Sequence, residues 1–131
     1  MREYQIATLY GLPFLDVVVP GPKRSRRLRL IFDTGAALTQ VHTVTLVSLG
    51  YSFVGRAPDL SLRGVTGPAE DGYSLAATRL FVMGRRFENL PLAAFDFSQW
   101  VKEGIDGLLG FDVIQQFHVE MDGPGGNLKV F

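Results

Sequence analysis

Cysteine is absent from the 131-residue chain, which excludes disulfides, thiolate catalysis, iron–sulfur clusters and Cys-ligated zinc together. Histidine is scarce. Its two copies, His42 and His118, are too few for a multi-histidine metal site within one chain, so neither a metal nor another cofactor is expected. Neither sign of charge is in excess, because 13 Lys and Arg balance 13 Asp and Glu. A neutral molecule has no bulk attraction to nucleic acid or to an anionic membrane. No apolar run reaches the roughly 18 residues of a membrane span. Residues 1–10 contain one early Arg but no apolar stretch ending in small residues, so they do not read as a signal peptide and the expected location is cytoplasmic.

What is present is apolar residues and turn formers. The chain is 47% hydrophobic and 11% aromatic, with 15 Gly and 7 Pro, the composition of one globular domain over residues 1–131. Gly and Pro recur about every ten residues, and the runs between them are rich in Val, Leu, Ile, Phe and Tyr, which predicts an all-β protein of many short strands. Strands are expected over 4–10, 14–19, 27–33 and 38–41, with Gly11-Leu12-Pro13 turning the first into the second. A short helix is expected over 43–49, ending at Gly50. Residues 56–72 read as a turn-rich hairpin tip. A strand pair follows over 73–83 and 87–97 around Gly84-Arg85-Arg86, then an apolar run at 105–109 and two helical turns over 111–117. A last hairpin pairs 118–121 with 127–131. The basic run 23–29 has no interleaved aromatic residue; it reads as a solvated turn that protects a strand edge rather than as a nucleic-acid patch.

Chemistry concentrates in Leu30-Ile31-Phe32-Asp33-Thr34-Gly35-Ala36. An apolar strand runs directly into an Asp, which is costly there unless it is hydrogen-bonded or functional. Thr34 offers a hydroxyl, and Gly35 lets the backbone turn its N–H toward the carboxylate. Asp-x-Gly by itself also ends strands as an ordinary Asx turn. The second informative segment is Ile105-Asp106-Gly107-Leu108-Leu109-Gly110-Phe111-Asp112, two large apolar residues directly before a Gly.

Together, Phe-Asp-Thr-Gly-Ala and the later Leu-Leu-Gly resemble the retropepsin-like aspartic proteases, the single-lobed relatives of pepsin, and most of all their bacterial branch. The resemblance implies a closed, acid-protease-like β-barrel with one or two short helices. It implies that Asp33 is catalytic, that Thr34, Gly35 and Ala36 complete its loop, and that Leu108, Leu109 and Gly110 cross beneath and support it. Gly64, Val65, Thr66 and Gly67 would form the tip of a flap over a bound peptide. The chain has a single Asp-Thr-Gly, half of a two-carboxylate site. The resemblance therefore implies a two-fold homodimer with Asp33 of each copy at the axis, acting on a peptide or protein substrate, with the termini, 4–10 and 127–131, as candidate interface strands.

Asp112 is expected to cap the helix after Gly110. Trp100 and Phe111 are expected in the core, and both histidines in surface or satisfied polar positions. Two other functions compete: a non-proteolytic module holding a peptide in the same cleft, and a structural dimerisation unit. An intact Asp33-Thr34-Gly35 favours hydrolysis, since a pure binder need not keep an Asp at the end of an apolar strand.

Overall fold

The first residues carry two strands rather than one. In the computed structural model, which describes residues 1–63 and 67–131, β1 (Arg2–Gln5) and β2 (Ala7–Leu9) lie in different sheets. They separate at Ile6, whose N–H donates to the Gly126 carbonyl. The hairpin from β2 into β3 (Leu12–Pro20) closes with Leu9 opposite Leu12. Its turn is Tyr10-Gly11, both at positive φ (52° and 76°), the type I′ geometry that matches strand twist. The expected Gly11-Leu12-Pro13 turn is thus one residue late, and Pro13 sits inside a strand opposite Thr8.

Alternation then dictates the next hairpin. β3 pairs antiparallel with β4 (Ser25–Phe32) from Phe14 opposite Ile31 to Pro20 opposite Ser25. Val17, Val19, Leu28 and Leu30 point inward and are fully buried, while Asp16, Arg27 and Arg29 face solvent. β5 (Gln40–His42) is short and leads into α1 (Thr43–Ser48), which seats Leu46 and the following Leu49 in the core. β6 (Leu60–Arg63) pairs with the start of β7 (Ala69–Val82), so the segment read as a turn-rich hairpin tip carries one strand and the beginning of another. β7 pairs with β8 (Arg85–Phe95) through a second turn with both φ positive, Met83-Gly84 (49° and 75°). β8 therefore begins two residues earlier than expected.

After β8 come α2 (Ser98–Val101), absent from the expected elements, β9 (Gly107–Leu109) and α3 (Phe111–Ile114), one turn rather than two. β10 (Val119–Asp122) and β11 (Asn127–Val130) form the last hairpin.

Eight strands form one sheet in the order β2-β3-β4-β9-β5-β8-β7-β6. A single further pair, Val18 opposite Phe81, joins β3 to β7, so the strands from β3 to β7 return on themselves. β1, β11 and β10 form a separate three-stranded sheet with β11 in the middle. β11 therefore has both edges occupied within its own chain, and cannot supply the inter-subunit pairing expected of residues 127–131. Only the outer edges of β1 and β10 remain in that sheet. The two sheets share one core: Leu128 of β11 is fully buried with Leu30, Val41, Leu80 and Leu109. Each such leucine contributes about 2–5 kcal/mol against truncation to Ala.

Candidate active site

The key local event is the insertion of β9 between two strands that are neighbours in sequence but not in the sheet. β4 pairs with β9 in parallel, with Leu30, Ile31 and Phe32 opposite Gly107, Leu108 and Leu109. β5 pairs with the other edge of β9, antiparallel, with Gln40 opposite Leu108 and Val41 opposite Gly107. Asp106 fixes the entry. Its carboxylate accepts the Arg29 N–H at 3.0 Å, its own N–H donates to the Arg29 carbonyl at 2.8 Å, and its carbonyl accepts the His42 N–H at 2.8 Å. Gly107 is required by contact: a Cβ there would collide with the Gln40 carbonyl oxygen and lie 3.0 Å from the Val41 Cα. The 33–39 loop thus leaves one neighbour of β9 and returns as the other, directly above its end.

Asp33 opens that loop and is half-buried, while Thr34 and Gly35 are exposed. The Asp33 N–H donates to the Leu109 carbonyl at 3.0 Å. The Gly35 N–H donates to Asp33 Oδ1 at 2.9 Å, and the Ala36 N–H returns to the Asp33 carbonyl at 3.3 Å. Among the described residues no other donor reaches the Asp33 carboxylate, and the Thr34 hydroxyl has no partner. The far side of the loop is tied by the Phe111 N–H donating to the Ala36 carbonyl at 2.7 Å. Leu109 and Gly110 are buried and Leu108 is half-buried, so the Leu-Leu-Gly segment underlies the Asp loop.

A buried polar contact completes this support, and it rests on a residue the sequence analysis did not single out. Thr39 is fully buried. Its hydroxyl donates to Asp112 Oδ1 at 2.8 Å and accepts the Gly110 N–H at 3.0 Å, and its backbone N–H donates to Asp112 Oδ2 at 3.1 Å. Asp112 is not the N-cap residue of α3, but from its first turn the same carboxylate also accepts the Val113 N–H at 2.9 Å. Gly110 precedes α3 without a side-chain cap, and the carboxylate turns inward to Thr39 because that site supplies two donors. A threonine at an inward position of the apolar stretch 36–41 was the available signal, since a buried hydroxyl demands a partner.

Other expectations fare differently. Gly64, Val65 and Thr66, the expected flap tip, lie outside the described residues; Gly67 is exposed, with open space around it. β6 and β7 pair on either side of this segment. Trp100 and Phe111, expected in the core, are 40% and 46% exposed. α2 has no buried residue at all, and α3 turns Val113 and Ile114 inward instead of Phe111. His42 is a satisfied polar residue, nearly buried and accepting the Phe97 N–H at 2.9 Å on Nδ1. His118 is exposed.

Three exposed groups have shifted titrations. Asp59 is held below the ordinary carboxylate range, first by the Ser74 hydroxyl and then by the Ser74 N–H and Arg56. Asp96 is lowered chiefly by Ser98. Tyr10 is raised by its hydrogen bond to the Glu103 carboxylate. A cavity of about 460 Å³ opens beside the start of β7 and α2, with Glu70, Asp71, Asp96 and Trp100 in its wall. Asp33 does not line it. Among the described residues no three His, Asp or Glu side chains converge as a metal site, and no helix is long and apolar enough to cross a membrane.

Residues 16–113 match the family described as aspartyl protease. Among solved structures, the chain is similar to a retropepsin-like aspartic protease from Rickettsia conorii, with a TM-score of 0.72 and 17% identity over 98% of this chain and 89% of that one. It is also similar to EIAV protease complexed with the inhibitor HBY-793, with a TM-score of 0.57 and 21% identity over 84% and 91%. At these identities the likeness is one of fold. The curated proteins contain no sequence match.

Proposed function

The chain belongs to the aspartyl protease family, with a mostly-β, retropepsin-like fold, and from that premise we propose that it is an aspartic endopeptidase whose site is completed by a second copy. The observation that carries this reading is the placement of Asp33. Its carboxylate stands half-exposed on a loop held from below by Leu109 and from the side by Phe111, with one local donor on Oδ1. The loop is fixed while Asp33 keeps part of its surface open to solvent, as a group that works across an interface requires.

In the dimer, two Asp33 carboxylates meet at a two-fold axis. At about 3 Å and an effective dielectric near 20, two such charges repel by roughly 5 kcal/mol, so the pair holds one proton between them near neutral pH. The ionised carboxylate removes a proton from a water lying between the two. The protonated one donates to the substrate carbonyl, so that the water oxygen adds to a carbon whose developing charge is already hydrogen-bonded. The tetrahedral intermediate collapses when the amine leaves with a proton returned from the dyad. The titration belongs to the pair rather than to either residue. Gly64 to Gly67 at the β6–β7 hairpin are the segment proposed to cover the peptide.

Replacing Asp33 by Asn tests the reading. The amide keeps the shape but cannot act as base. Cleavage of a denatured protein or a mixed peptide library should fall by at least a factor of about 1,000, with the thermal midpoint and the sedimentation coefficient preserved. An Asp33→Asn protein that cleaves at the parent rate refutes it. Peptide capture without hydrolysis by the parent identifies a binding module instead.

A further inference from the structure

Any contact that brings two Asp33 carboxylates together must also cover the surface around them. The loop that follows Asp33 carries no charged side chain, and one large ring is tied to it. Thr34, Gly35 and Ala37 are exposed, and residues 34–38 contain no charged side chain. Phe111 is attached to this rim by its own N–H, which donates to the Ala36 carbonyl at 2.7 Å. It is 46% exposed, because α3 spends its inward positions on Val113 and Ile114. The neighbouring Asp112 carboxylate is engaged with Thr39. Nearly half of the Phe111 surface is left unburied by the single chain.

We propose that Phe111 anchors the homodimer: the apolar rim of Ala37 and Phe111 packs against a second copy across the two-fold axis that pairs the Asp33 residues. This rests on the dimeric-protease reading and adds to it the side chain that holds the copies together. The occupant is a second copy of this chain because the rim is continuous with a site that one copy leaves half-built. A two-fold contact uses the same patch on both sides, and a buried aromatic near the centre of an interface is where binding energy concentrates.

The test is sedimentation velocity and peptidase activity of the full chain over a range of concentrations, for the parent, Phe111→Ser, Phe111→Leu and Asp33→Asn. Phe111→Ser should weaken dimerisation by about 100-fold, since the residue is lost twice per dimer. Its activity should fall on dilution and recover as the protein concentration is raised. Phe111→Leu should retain the dimer to within about 10-fold. Should Phe111→Ser not fold, hydrogen exchange on the parent decides the same question: dilution through the dissociation range should deprotect amides in 34–38 and 111–115.

A Phe111→Ser protein that sediments as the parent does, or exchange in these segments that ignores dilution, overturns the proposal and leaves the protease reading standing. So does a raised KM with unchanged sedimentation, which would make Phe111 a substrate contact. A dimeric, inactive Asp33→Asn protein supports the protease reading whatever Phe111 does. A parent that is monomeric at every concentration and still cleaves through Asp33 overturns both.

Discussion

Replacing Thr39 by Val removes one oxygen and keeps the side chain's shape, which isolates the buried contact beneath the Asp33 loop. The hydroxyl accepts the buried Gly110 N–H at 3.0 Å and donates to Asp112 Oδ1 at 2.8 Å. A buried donor left unpaired costs about 1–3 kcal/mol, and a hydrogen bond to a charged group is worth about 1.5–3 kcal/mol. The second loss is partly offset, because the Val113 N–H still reaches Asp112 Oδ1 at 2.9 Å and the Thr39 N–H still reaches Oδ2. The expected destabilisation is about 3 kcal/mol, a large share of the 5–15 kcal/mol typical of a domain. For a chain of this size it lowers the thermal midpoint by about 10 °C. Thr39→Ser is the control: it keeps the hydroxyl, loses one methyl and should cost about 1 kcal/mol. Urea unfolding of the three proteins, read by far-UV circular dichroism, measures the differences. If Thr39→Val and Thr39→Ser unfold together, or if Thr39→Val lies within about 0.5 kcal/mol of the parent, the hydroxyl does not hold this junction and the reasoning fails.

Gly107→Ala should destabilise by about 3 kcal/mol or more, since β5 must move away from β9 to admit the methyl group; urea unfolding checks it, and a near-neutral variant would mean the strands separate freely. On the proposed dimeric reading, Ala36→Ser places a donor beside the Asp33 loop that favours the ionised form, so the bell-shaped pH profile of kcat/KM should move to lower pH; profiles that superimpose would show that the hydroxyl does not reach the carboxylate. Asp59, hydrogen-bonded to Ser74 and paired with Arg56, is depressed in the folded state. Its stabilisation is therefore present above the ordinary carboxylate range and disappears as pH falls through the lowered value. Thermal midpoints of the parent and Asp59→Asn should differ at pH 7 and converge as pH falls below the ordinary carboxylate range; a constant gap would contradict the linkage.

Much of this arrangement was legible in the residues. Asp33-Thr34-Gly35 and Leu108-Leu109-Gly110 pointed to one another from opposite ends of the chain, and β4 and β9 do pair. Alternation located β3 and β4 because each has one buried face. The turns were harder. Tyr10 and Met83 each take a positive φ that their side chains disfavour, so the Gly-centred rule placed both hairpins late. Thr39 and Asp112 escaped notice because their partnership spans 73 residues, and a local rule offered Asp112 an adequate job as a cap. Phe111 and Trp100 were assigned to the interior by hydrophobicity alone, which cannot distinguish a ring that faces the core from one left on an exposed helical turn.

The position of β9 also sets an order of events during synthesis. The Asp loop has its floor only when residues beyond Gly107 have threaded between β4 and β5, and its buried clasp only when Asp112 has reached Thr39. Contacts this distant in sequence form late, after much of the loop-closure entropy has been spent. A nascent chain that has produced Asp33 but not the segment from Gly107 to Asp112 carries the Asp loop without the contacts that hold it. Translation proceeds at about 5–20 residues per second, so the interval between the two lasts several seconds. During that interval the Asp loop has neither floor nor clasp, and truncation anywhere before β9 leaves it so permanently.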